Sequence, residues 1–227
     1  MMLSGSVSAQ LRDMLNLEEH DDKAFHFGIY LGVNRSHYSF SHNPRFMQYD
    51  SVLTVESIGS TGINLGWLVN MRLGQYFDIR TYPLNLVFTE KQFLYGLKYP
   101  NRQLEEFSLT TKKIQGITLS WPLQIKFSSD RIKNLRVYMF SGGKIEYDFA
   151  ANAGTQKDLD IIKLRKIDYG LEGGIGFHFY FPVFVLTPEL KMGYGLRDMH
   201  IRNPDSKYSN VIDQVYSRTI TLSLTVE

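Results

Sequence analysis

FHFGIYLGVN, residues 25–34, alternates without a break. Phe25, Phe27, Ile29, Leu31 and Val33 form one set, and His26, Gly28, Tyr30, Gly32 and Asn34 form the other. Successive side chains in a strand point to opposite faces, so the segment predicts a β-strand with one apolar face and one small or polar face. Seven more segments repeat the pattern: residues 62–72 (with Leu68 as an exception), 76–88 (irregular around Pro83), 117–127, 135–147, 166–181, 189–197 and 219–226. The connections at 74–75, 128–134 and 181–183 are short. Those at 36–60, 89–112, 148–163 and 198–213 are long. Eight alternating strands with alternating short and long connections predict an all-β, eight-stranded antiparallel up-and-down transmembrane β-barrel.

Alternation alone does not say which face is inside, because a soluble lipocalin-like barrel alternates too. An eight-stranded barrel has an interior only just wide enough for side chains to fill. Five or six bulky apolar residues per strand exceed that space, whereas interleaved Gly, Ser, Thr and Asn fit it. The expected interior also balances its charges. Arg72, Arg80, Lys126, Lys144, Lys191 and Arg197 stand against Asp78, Glu146, Asp168, Glu172 and Glu189. Buried charges are tolerable when paired and hydrogen-bonded. The apolar set is therefore expected to face lipid, with Trp67, Trp121, Tyr76, Tyr147 and Tyr169 available for interfacial girdles. The mildly negative mean hydropathy is compatible with this, since half-polar strands average out.

At 227 residues the chain reads as one barrel domain, residues 24–227, after an N-terminal stretch of residues 1–23. Val7-Ser8-Ala9 resembles the end of a secretory signal, with cleavage before Gln10. The charged start and most of the apolar stretch of such a signal are missing, so the native N-terminus is expected to be longer. Acidic residues 11–23 suggest a short periplasmic turn of helix. Both termini are expected in the periplasm and the long loops outside the cell. A formal charge of +2 gives no case for nucleic acid, and the absence of Cys excludes disulfides and thiolate metal sites in this chain.

At the sixth and seventh strands the sequence reads EGGIGFHFY (172–180) and LTPELKMGYGL (186–196). Together with FGIYLGVN (27–34), GINLG (62–66) and LGQYFDIR (73–80), these resemble the PorT family of Bacteroidetes outer-membrane barrels across most of the chain. The chain ends Val226-Glu227, where many outer-membrane barrels carry a terminal aromatic. The resemblance implies a non-catalytic component of the type IX secretion system, which exports proteins across the outer membrane and is linked to gliding motility. Partners would be outer-membrane lipid and other secretion proteins, without a small-molecule substrate or cofactor. The alternative is a generic small barrel for envelope stability or adhesion.

Candidate sites follow from the faces. The lumen network expected is Arg72, Asp78, Arg80, Lys126, Glu146, Asp168, Glu172, Glu189, Lys191 and Arg197, read either as a structural plug or as a polar channel. His26 and His178 face the same interior, as lumen filling or as a proton relay or metal site; no His-x-x-x-His spacing supports a metal. Enzymatic barrels need a nucleophile beside a base. Here Ser36, His37 and Ser39, and Ser41 and His42, adjoin only in a long loop. No catalytic residue is assigned. Phe93, Leu94, Tyr95, Leu97 and Tyr99 make the second long loop unusually apolar, fitting either a lid across the barrel mouth or contact with a partner.

Overall fold

The computed structural model describes residues 15–46, 51–100, 107–151, 162–203 and 206–227. The expected signal remnant, residues 1–9, lies outside them. Among the described residues eleven strands are formed: β1 (Phe25–His42), β2 (Val52–Ile58), β3 (Ser60–Arg72), β4 (Phe77–Leu97), β5 (Leu109–Ser128), β6 (Leu135–Asp148), β7 (Lys163–Leu164), β8 (Ile167–Tyr180), β9 (Val185–Gly195), β10 (His200–Ile201) and β11 (Ile212–Val226). Eight of them close a ring, β1-β3-β4-β5-β6-β8-β9-β11 and back to β1, each pair antiparallel. β2 lies against the far end of β4, and β7 pairs with β10 apart from the ring. Closure leaves the eight-stranded ring without an edge, as hydrocarbon demands. Among the described residues no helix is long and apolar enough to cross a membrane.

The apolar set faces outward. Phe27 is 68% exposed and Trp67 65%, whereas the inward Tyr30 is fully buried. Strand register lines up the loop-end edge of this apolar band from strand to strand. Val33 pairs with Ile63, Ile63 with Phe88 and Phe88 with Ile117, and two residues further on stand Arg35, Thr61, Glu90 and Gln115. At the other end of the barrel lie the short turns and the C-terminal strand end, with Tyr76, Phe77 and Phe127 packed together.

The irregularity at Pro83 is a bulge. The register of β4 shifts between Thr81 and Leu86 against β5 and opposite Trp67–Val69 of β3. An extra residue reverses the facing of everything after it. Asp78, Arg80 and Tyr82 point inward before it, and Asn85, Val87, Phe93, Tyr95 and Leu97 are the buried residues after it. The bulge frees the Pro83 carbonyl, which accepts a bond from the Trp121 indole N–H at 2.8 Å.

Two expected long loops are largely strand. β1 runs on to His42, β4 to Leu97, and β5 begins at Leu109, so three hairpin arms rise past the apolar band with β2 added beside them. Above the band the lipid-facing apolar signal disappears while backbone pairing continues. Leu68 is an inward residue, packed with Tyr30 and Tyr82.

Candidate functional site: a filled lumen closed at both ends

The interior is built by residues the alternation turns inward. At mid-height Arg80 (β4) is buried with Glu189 (β9) as a close ion pair, also joined by Nη2 to Oε2 at 3.4 Å. Arg80 Nε donates to Gln124 Oε1 at 2.7 Å, and Gln124 donates onward to Glu172. The Tyr138 hydroxyl donates to Glu189. The Arg80 guanidinium lies 4.4 Å from the Phe140 ring centre, and Lys191 Nζ lies 4.5 Å from that of Tyr82 and 3.9 Å from Glu189. Inward glycines admit these rings: a Cβ on Gly176 would meet Tyr138 Cζ at 2.3 Å, and one on Gly174 would meet Phe140 Cζ at 2.8 Å. Arg80, Gln124 and Glu189 are each at most 2% exposed, so the layer is buried inside the barrel.

Two further ion pairs flank this layer. Lys126 meets Asp78 at 2.8 Å toward the turn end, and Lys144 meets Glu146 at 2.6 Å toward the loop end. Small polar cavities of about 20 to 30 Å³ lie at the turn-end mouth, beside the mid-lumen layer and near the loop end, each with room for a water or two. Near the loop end Asp168 is buried with neither carboxylate oxygen hydrogen-bonded, and Lys91 donates to Ser217 at 2.9 Å.

The turn end is closed by the N-terminal segment. A 3-10 helix, Glu18–Asp22, crosses the mouth. Asp21 accepts from Tyr180 at 2.7 Å and faces Arg136 at 3.4 Å and Arg131 at 3.5 Å. The Arg131 guanidinium stacks 3.7 Å over the Tyr180 ring centre, and Asn16 bonds Asn134 and the Tyr180 carbonyl, both at 2.9 Å. His26 donates to the His20 carbonyl at 2.7 Å, and the two rings stack at 4.4 Å. Burial, then the neighbouring His26, push the His20 imidazole down to about 4.

The loop end is closed differently, by an apolar cluster. Tyr38, Val52, Val55, Phe93, Tyr95, Leu97, Leu164, Met199, Tyr208 and Val211 are all buried in it. His200 pins the cluster's rim by bonding Ser209 at 2.9 Å and the Asp213 carbonyl at 3.2 Å, and its burial holds the imidazole below its ordinary value.

Eight of the ten residues named for the lumen network stand in or beside the lumen: Asp78, Arg80, Lys126, Glu146, Asp168, Glu172, Glu189 and Lys191. Arg72 sits at the turn-end mouth, paired with the exposed Asp22 at 3.3 Å. Arg197 is outside the lumen: β9 ends at Gly195, alternation stops there, and the side chain bonds the Ile167 carbonyl at 3.1 Å. The apolar stretch Phe93, Leu94, Tyr95 and Leu97 is not a loop but the rising arm of β4. Phe93, Tyr95 and Leu97 turn into the cap after the bulge, and only Tyr99 stands free at 66% exposure. Gln124, Tyr138 and Lys91 were missed. Gln124 and Tyr138 are the polar inward positions of strands whose alternation was read for its charges, and Lys91 lies past the bulge. Ser36 points inward to Asn34 and Thr219, so the adjacent His37 faces away from it and no Ser–His pair forms there. His178 is held by Thr187 at 2.8 Å and stacks on Tyr138 at 4.6 Å. Among the described residues no group of three or more His, Asp or Glu is placed to hold a metal.

The family model of the outer membrane protein beta-barrel domain matches residues 8–200. The chain belongs to this family. It is thus an outer-membrane β-barrel protein, and the apolar band is the wall that meets lipid. Among solved structures, Neisserial surface protein A is similar at 10% identity over 90% of this chain and 99% of that one, with a TM-score of 0.44. OprG of Pseudomonas aeruginosa is 12% identical over 87% and 95%, at 0.44, and Ail of Yersinia pestis 12% identical over 90% and 98%, at 0.38. No curated protein matches the chain.

Proposed function

We propose that this outer-membrane barrel is a non-catalytic component of type IX protein secretion, acting through its outer wall, loop end and N-terminal segment rather than through its lumen. The short turns and termini then lie in the periplasm and the capped end outside the cell. The observation that carries the reading is the Arg80–Glu189 layer with its Gln124 and Tyr138 partners, which fills the barrel cross-section. A protein whose bore is occupied this way passes no polypeptide. The assignment to type IX secretion rests on the PorT-like segments quoted above. Deleting the gene in its host and comparing secreted proteins bearing type IX signals tests it. Their loss from the medium with periplasmic accumulation is expected, and normal secretion overturns the assignment.

One feature favours the adhesion reading as second choice. Leu53, Tyr99, Phe107 and Leu109 are all more than half exposed on or beside the β2, β4 and β5 arms, above the apolar band. Apolar surface held clear of the membrane on the loop end suits attachment to a surface outside the cell. Normal secretion in the deletion strain, together with reduced attachment, would select adhesion.

A further inference from the structure

The strap across the turn end occupies a cradle that the barrel holds in shape by itself. Arg131 lies in the β5–β6 turn, where its Nε donates to the Lys133 carbonyl at 2.8 Å and its Nη2 to Asn134 Oδ1 at 3.0 Å. Arg136, near the start of β6, donates from Nε to the Ser129 carbonyl at 2.8 Å and from Nη2 to the Gln75 carbonyl at 2.7 Å. None of these partners belongs to the strap, so both guanidinium groups stay aimed when it lifts. What they meet in the strap is one turn of peptide. Arg131 donates to the carbonyls of Asn16 and Leu17, and Asn134 Oδ1 accepts the Asn16 backbone N–H. Asp21 sits between the two arginines and the Tyr180 hydroxyl. The strap itself is lightly held. No residue of Glu18–Asp22 is buried, and Leu17 just before it has a φ of 51°, in the left-handed region that residues with a side chain disfavour.

We propose that this cradle is a docking site for an acidic turn of a periplasmic partner protein, and that the strap is its internal occupant, displaced when the partner binds. The chemistry selects the occupant. The Arg131 and Arg136 side chains, 12% and 15% exposed, converge on one carboxylate. With the strap lifted they lack a counter-charge, a state that mostly buried cations resist, and a second carboxylate restores it. A free anion satisfies only that pair. A peptide also meets the Arg131 donors that now hold two successive carbonyls, and the Asn134 oxygen that holds an amide. The cradle thus reads backbone and carboxylate together, and the partner's turn must place an acid as Asp21 is placed after Asn16. The proposal deepens the reading of the N-terminal segment as a contact region, and it rests on the turn end lying in the periplasm.

Fluorescence anisotropy with the folded full chain in detergent micelles tests it. The probe is a labelled peptide of residues 15–23, LNLEEHDDK. The parent chain, its cradle filled, should bind the peptide weakly. The variant N16A/D21N, which loosens the strap, should bind it roughly tenfold or more tightly. The same peptide with Asp21→Asn should lose roughly tenfold or more, and inorganic phosphate should not compete. Adding R131Q/R136Q to the loosened chain should abolish binding. The change on the peptide leaves the barrel untouched, so it decides the matter even where that chain fails to fold. Proteolysis near residue 23 reports the strap in every sample. A released strap without peptide binding overturns the docking site. A strap still protected in N16A/D21N, or equal binding by parent and loosened chains, overturns its role as internal occupant. Equal binding of the two peptides, or competition by phosphate, marks an anion site only and overturns the proposal too. Secretion is read separately in the deletion strain. Peptide binding beside normal secretion refutes the type IX assignment alone, and failed binding beside lost secretion refutes the cradle alone.

Discussion

Replacing Arg80 by Met removes the cation of the mid-lumen layer while keeping an unbranched side chain of similar length. Glu189, 1% exposed, would retain the Tyr138 hydroxyl and Lys191 at 3.9 Å, but lose its contact pair. Gln124 would lose the donor that now meets its Oε1 at 2.7 Å. Breaking one side of a buried ion pair costs about 3–5 kcal/mol, because the remaining charge stays desolvated. That corresponds to a shift of roughly 10²- to 10³-fold or more in the folding equilibrium. Adding Glu189→Leu to Arg80→Met removes the orphaned charge, and such paired replacement by apolar residues is often neutral or stabilising by about 1–4 kcal/mol. The double variant should therefore recover most of the loss. Urea unfolding in phospholipid vesicles, followed by tryptophan emission of the outward Trp67 and Trp121, reads all three chains. A single variant within about 0.5 kcal/mol of the parent would show a wet lumen, and a double variant as damaged as the single would show that packing rather than charge pairing holds the layer.

Trp121→Phe leaves the Pro83 carbonyl without its donor in an apolar surrounding, so it should cost about 1–3 kcal/mol in the same unfolding assay. Asp21→Asn weakens the strap across the turn end, and limited proteolysis should cut near residue 23 faster while the barrel remains folded by gel mobility. The strap should also respond to pH. The folded His20 value, about 4, lies below the unfolded value of about 6.5. Its contribution is therefore fully present above 6.5 and lost as pH falls through 4. Ring NMR of His20 should titrate near 4, and a midpoint near 6.5 would show the strap detached. Tyr95→Ala empties part of the loop-end cap and should cost about 3–5 kcal/mol locally. Protease sensitivity should rise at the β2–β4 arm without loss of the barrel band.

The wall was legible because its rule is simple. Lipid selects one apolar face, so Phe25 to Val33 and Ile220 to Val226 announce themselves by period alone. The lumen charges were legible where a strand keeps its phase, as at Glu189 and Lys191. Legibility ended where the phase changes. At Pro83 one irregularity reverses the rest of β4, so Lys91 and the inward turn of Phe93, Tyr95 and Leu97 could not be counted from Asp78. It ended again above the band, where strands no longer need an apolar exterior and read as loops although their pairing continues. Arg197 shows the opposite failure, an alternation extended two residues past the end of its strand. The strap was only partly visible: the acidic run suggested helix, but Asp21's partners lie on strands more than a hundred residues away.

The barrel works with its bore filled. Single-channel recording of the purified, folded protein in a planar bilayer tests it most directly. A filled bore gives a quiet baseline for the parent chain, with conductance steps at most in variants that break the Arg80–Glu189 layer together with the strap. Stable, discrete openings of the unaltered protein would contradict it.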